Sequence, residues 1–180
     1  MGQKISSIAV IVSLLFLPAL LGLGWQAIAL VNWASRGLAI ALLFLCIDQC
    51  RMAIADLEQV AEVKLLVQNA QLEQFHRVTI ATIVVELLGF YSAIGWLGWG
   101  VAIVLLSQVG FNIFAGIQLQ PKASAPIIPW GIRDRLPVFI ADGLGLVLIG
   151  CWLAGVQPLV MALGLLGMVS IYGLVKYGVL

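Results

Sequence analysis

Apolar residues run along this chain in long blocks, and six of them approach the ~20 residues a helix needs to cross a bilayer. They lie at about 5–24, 37–50, 78–96, 99–118, 136–154 and 158–177, grouped as three antiparallel hairpins. Pro18 is expected to kink the first. The second has the shortest apolar core, so residues 25–50 are the weakest part of this layout. Five spans plus a re-entrant first segment form the fallback.

Between the second and third blocks the pattern changes. From Leu38 to Leu88 there is no Gly or Pro, although the chain holds 19 Gly and 6 Pro. That window contains 51-RMAIADLEQVAEVKLLVQNAQLEQFHR-77, which is rich in helix formers. The second helix is therefore expected to leave the membrane as a cytoplasmic helical extension over 51–76, bending at 68-QNAQ-71. Ala53, Leu57, Val60, Val63, Val67 and Ala70 make an apolar stripe at helical spacing, interrupted by Asp56. One reading rests this stripe on neighbouring parts of the chain. The other makes Leu57, Val60, Val63 and Val67 a docking surface for a partner.

Composition settles the solvent. Of 180 residues, 63% are hydrophobic and 9% charged, with a mean hydropathy of +1.14. A soluble domain carries about 25% charged residues. The expected fold class is all-α, a polytopic helical membrane protein, with residues 1–180 as a single integral membrane domain. The lipid bilayer is its main partner, joined by other membrane-protein subunits or further copies of the chain. A net charge of +1 without a basic run argues against nucleic acid.

Charge placement then sets an orientation. With the N-terminus in the cytoplasm, Lys4, Arg51, Lys64, Arg77, Lys122, Arg133, Arg135 and Lys176 fall inside and Arg36 alone falls outside. Such a bias marks the cytoplasmic side, which would hold both termini. Trp25, Trp33, Trp96, Trp99 and Trp152 gather at the outer turns as an interfacial belt, and Trp130 marks the inner face. The N-terminal block resembles a secretory signal, with Ala27 and Ala29 spaced as for cleavage. Its apolar run exceeds the usual h-region, so it is read as a retained helix. A myristoylation pattern through Gly2 and Ser6 is set aside, because a lipid anchor adds little beside a spanning helix.

Two acids stand out against this background. In 79-TIATIVVELLGFY-91, Glu86 lies nine residues past Arg77, ~13 Å into a ~30 Å core. Asp142 lies seven residues past Arg135, ~10 Å deep by the same rise. Neither has a basic residue one turn away, whereas Asp48, three residues before Arg51, reads as a helix-surface ion pair. A carboxyl in hydrocarbon favours its neutral, hydrogen-bond-donating form. Sliding the third span by 56 residues onto the fifth aligns Arg77 with Arg133, Glu86 with Asp142, Gly89 with Gly145 and Trp96 with Trp152. This pattern suggests an internal duplication. Folding each hairpin on itself sets Glu86 beside Gln108, one turn from Asn112, and Asp142 beside Ser170. These five residues are the candidate site. As interhelical bonds they would contribute ~0.6–2 kcal/mol each; as a proton or ion relay, or a polar ligand site, they would be functional.

Other chemistry is largely excluded. The chain carries no HExxH, GxSxG, phosphate-binding glycine loop or Cys/His cluster, so neither enzymatic activity nor a metal site is expected. Cys46, Cys50 and Cys151 form no CxxC and read as small buried thiols. His76 is the single histidine, which rules out bis-His haem within the chain. No cofactor is predicted, and a pigment or a haem shared with another subunit stays open. The preferred reading is a non-enzymatic subunit or assembly factor of a larger membrane complex. The alternative is a small proton- or cation-coupled transporter using Glu86 and Asp142. Whether those acids face a common cavity or separate dry contacts discriminates between the two.

Overall fold

A computed structural model describes residues 6–67, 69–121, 125–176 and 178. Gly2, Lys4, Gln68 and Lys122, invoked above, lie outside the described residues. The described chain forms α1 (Ser7–Ala29), α2 (Trp33–Leu66), α3 (Ala70–Ala93), α4 (Leu97–Phe114), α5 (Leu136–Leu153) and α6 (Pro158–Lys176). Five of them, α1, α2, α4, α5 and α6, are long and apolar enough to cross a membrane, as in a multi-pass membrane protein. The weak member is not the one expected. Helix α2 qualifies with a hydropathy of 1.9, because it already starts at Trp33. Helix α3 is absent from the five, because Glu73, Gln74, His76, Arg77 and Glu86 dilute its apolar run.

Side chains at the turns explain where the helices begin. Ser6 accepts from Ala9 N at 3.0 Å to cap α1, and its hydroxyl donates to the Glu58 carboxylate on α2. Asn32 caps α2 by accepting from Ala34 N at 2.8 Å, and Asn69 caps α3 by accepting from Gln71 N at 2.9 Å. These are the residue types that satisfy orphan N–H groups. Helix α2 ends at Leu66 and α3 begins at Ala70, so the break between them overlaps the stretch 68–71 expected to bend. Carbonyls at the other end are also covered: Arg36 donates to Leu30 O and Ile28 O, and Gln26 donates to Ile94 O at 2.7 Å. Helix α1 continues through Pro18. Beside the hydrogen bond that Pro18 deletes, Tyr91 Oη donates to Leu15 O at 2.7 Å.

The fourth helix ends earlier than its apolar block. It stops at Phe114, Gly116 takes φ +66, and the chain enters a two-stranded antiparallel ribbon. Strand β1 (Ile117–Leu119) pairs with β2 (Ile127–Pro129), Gln118 opposite Ile128. A glycine just past a helix supplies the left-handed step that ends it.

Packing gives a ring. Helix α2 touches α1, α3, α4 and α6; α4 packs between α3 and α5; and α5 packs on α6. Helices α2 to α6 therefore close on themselves, with α1 outside against α2 and α3. Small residues draw one end tight. A Cβ on Gly100 would lie 2.4 Å from Ala93 Cβ, and one on Gly98 would lie 2.6 Å from the Trp152 ring. At the opposite end α2 runs past the start of α1. There Val60 and Val63 are buried against Leu72, Phe75, Ile117 and Leu119 in a second core. The stripe read as a docking surface is covered at these two positions by the chain's own α3 and β1. Leu57 packs on the main core, and Val67 is half-buried.

Candidate functional site

The ring encloses a cavity of about 540 Å³, and both acids line it. Glu86 comes from α3 and is 2% exposed; Asp142 comes from α5 and is 5% exposed. Helix α2 contributes Gln49, Asp56 and Gln59, helix α4 contributes Gln108 and Asn112, and Trp130 and β1 line the cavity beside them. Leu38, Leu42, Val101 and Leu165 line the half nearer the tight end. The cavity is thus apolar towards the glycine-packed end and polar towards the ribbon.

Local sequence explains why the acids point inward. In each helix the acid is followed three residues later by a buried glycine on the same face. A Cβ on Gly89 would meet Val104 at 2.7 Å and the Gly100 carbonyl at 3.1 Å. One on Gly145 would meet Met168 at 3.1 Å and Leu105 at 3.2 Å. Both glycines let α4 approach closely, which turns the acid one turn away into the ring. The acid–Gly part of the repeated pattern has the same role twice. The tryptophans diverge: Trp96 is 72% exposed, whereas Trp152 packs on Gly98.

The expected partners are redistributed. Asn112 Nδ2 donates to Asp142 Oδ2 at 3.4 Å and to Gln108 O at 3.0 Å. Ser170 does not reach Asp142; its hydroxyl donates to Leu166 O at 2.7 Å on its own helix, the back-bonding common to serine in helices. Asp142 meets α4 because α5 packs on α4 as well as on α6. The Glu86–Gln108 bond is not formed either. Glu86 Oε1 and Gln108 Nε2 are buried without hydrogen-bond partners among the described residues. Ser107 takes the position facing Glu86, and Gln108, about 100° further round α4, faces the cavity instead.

Arg135 closes the ribbon end. It is 1% exposed, donates from Nη1 to Asn112 O, and lies 4.3 Å from the centre of the Trp130 ring. It therefore caps the last turn of α4, where carbonyls lack helical partners. Asp48 is held by Lys176, which donates to both carboxylate oxygens at 2.8 Å and so ties α2 to the end of α6.

Sequence reasoning missed part of this site. Asp56 looked like an interruption of an apolar stripe, and Gln49, Gln59 and Arg135 were not singled out. A signal existed: Gln49, Met52, Asp56 and Gln59 follow one another at three, four and three residues, which places them on one helix face. Comparisons with protein-family models, with curated proteins and with solved structures find no match.

Proposed function

We propose that the chain is a small carrier with six membrane spans, in which Glu86 and Asp142 exchange protons against a solute held in the cavity. The observation that supports it most directly is that two acids from different hairpins line one cavity rather than two dry contacts. Its volume of about 540 Å³ falls in the range of small-molecule sites, which are mostly apolar with a few placed polar groups. Glu86 Oε1 is in addition a buried acceptor without a partner among the described residues.

The chemistry follows from burial. An ionised carboxylate at a helix centre costs ~2.5 kcal/mol or more on insertion scales. A proton removes that cost, and so does a bound cation. Two occupants that satisfy the same carboxyl by turns give exchange, and exchange across two conformations gives coupled transport. In this reading α3 is the sixth span. The termini, the end of α2 and the ribbon lie in the cytoplasm, as the distribution of Lys and Arg favours. The tight glycine-packed end then faces outward. A role as subunit or assembly factor is the weaker reading, because Val60 and Val63 of its docking stripe are buried within the chain.

The test needs no known cargo. Purified protein in proteoliposomes on a solid-supported membrane should displace charge after a pH jump. Glu86→Gln should abolish the displacement, because an amide binds no proton, and Glu73→Gln outside the cavity should preserve it. An undiminished signal from Glu86→Gln overturns the carrier.

A further inference from the structure

Resting on the carrier reading, we infer that the solute is an organic cation, a positively charged head on an apolar body. Asp56, Glu86 and Asp142 line the cavity, and no Lys, Arg or His does so among the described residues. An anion would meet three acids there, set against the neutral amides of Gln108 and Asn112 and the Arg135 guanidinium behind Trp130. The strongest pointer is Glu86, 2% exposed, whose Oε1 lacks a partner among the described residues. Leaving a buried acceptor without a donor is costly, and a cationic N–H or an onium centre would offset that cost.

The remaining walls set the body of the ligand. Phe75, Phe111, Trp130 and Met168 line the cavity, and aromatic faces attract cations within about 6 Å. The three carboxylates come from α2, α3 and α5. Among the described residues no three acidic, His or Cys side chains converge as a metal site would need. Separated acids and apolar walls fit an extended amphiphilic cation better than a bare ion. The approach carries the same sign. A shallower hollow sharing Ala55, Gln59 and Leu119 with the cavity is lined by Glu58 and Glu62. Negative side chains at a mouth concentrate cations ahead of binding.

Tetraphenylphosphonium and tetraphenylborate are near-isosteric probes that differ in the sign of their charge. Isothermal titration of the full chain in detergent should show saturable binding of the phosphonium and none of the borate. Glu86→Gln should weaken phosphonium binding at least tenfold, while Glu73→Gln, outside the cavity, leaves it unchanged. Thr82→Trp, which fills the cavity from α3, should block it in protein that remains monodisperse. Equal binding of both probes, each blocked by Thr82→Trp, overturns the cation and leaves the cavity as a ligand site. Binding of neither probe, or phosphonium binding indifferent to both Glu86→Gln and Thr82→Trp, overturns the inference. The carrier reading is judged separately by the pH-jump signal.

Discussion

At the residue scale, the site is defined by which polar atoms are satisfied. Asp142 has a partner in Asn112, whereas Glu86 Oε1 and Gln108 Nε2 have none among the described residues. The two acids therefore differ in setting: Asp142 is tied to α4, whereas one carboxyl oxygen of Glu86 is left unsatisfied among the described residues. Asn112→Leu removes the donor and leaves a buried carboxyl without it, at an expected loss of roughly 1–3 kcal/mol. A double-mutant cycle with Asp142→Leu, followed by denaturant unfolding in mixed micelles, checks this. Additive losses would show that the two side chains do not interact. Glu86→Gln should preserve folding in the same assay, because its Oε1 makes no bond that an amide forfeits.

At the element scale, close helix approach and the clasp between α2 and α3 carry the architecture. A Cβ on Gly100 would lie 2.4 Å from Ala93 Cβ and 2.6 Å from its Cα and N. Backbone cannot yield as a flexible side chain can. Gly100→Ala should push α3 and α4 apart and destabilise the protein by about 1–3 kcal/mol, read as a lower unfolding midpoint. Across the break between α2 and α3, Lys64 Nζ donates to His76 Nδ1 at 2.8 Å and lies 3.1 Å from Glu73. Burial, and then the Lys64 charge, holds the His76 imidazole below its ordinary range. Hydrogen bonding from Lys64, then its charge, holds the Glu73 carboxyl below the usual carboxylate range. For a base with a depressed folded value, the folded clasp is favoured above about pH 6.5 and weakens as pH falls through it. For Glu73 the contribution is present above about pH 4.5 and lost as pH falls further, through its folded value. Both shifts loosen the clasp in acid. Intrinsic-rate-corrected hydrogen exchange at residues 69–73 should rise between pH 8 and pH 5.5, and Lys64→Met should flatten the dependence. A flat wild-type profile would contradict it.

At the scale of the whole molecule, the ring of α2 to α6 turns one face of each of five helices inward on one space, and α1 braces it from outside. Most other apolar residues point outward: only 11% of the α6 span and 17% of the α5 span are buried. Such surfaces are stable against lipid tails rather than water. Single cysteines at Trp99 and Arg133, in a background with Cys46, Cys50 and Cys151 replaced by Ser, test the proposed orientation. From the cytoplasmic side, a membrane-impermeant maleimide should label position 133 and not position 99. The opposite pattern would invert the topology and put the polar end of the cavity outside the cell.

Much of this was legible in the residues one after another. Long apolar blocks require helices in lipid, where every backbone group must bond within its own segment. The Gly- and Pro-free window from Leu38 pointed to a second helix running well past its apolar block, with 68-QNAQ-71 as the bend. Its start at Trp33 and the caps at Asn32 and Asn69 emerged only in the fold. Glu86 and Asp142 stood out because an acid in an apolar run has no cheap local explanation. Partnership could not be read this way, because it depends on the angle of each side chain around its helix and on non-sequential neighbours. Folding hairpins flat paired Asp142 with Ser170, whereas packing α5 against α4 gave it Asn112. The cavity, the inward turn of Val60 and Val63, and the assembly of Asp56, Glu86 and Asp142 around one space were decided by the ring, because only ring closure brings α2, α3 and α5 to face one another.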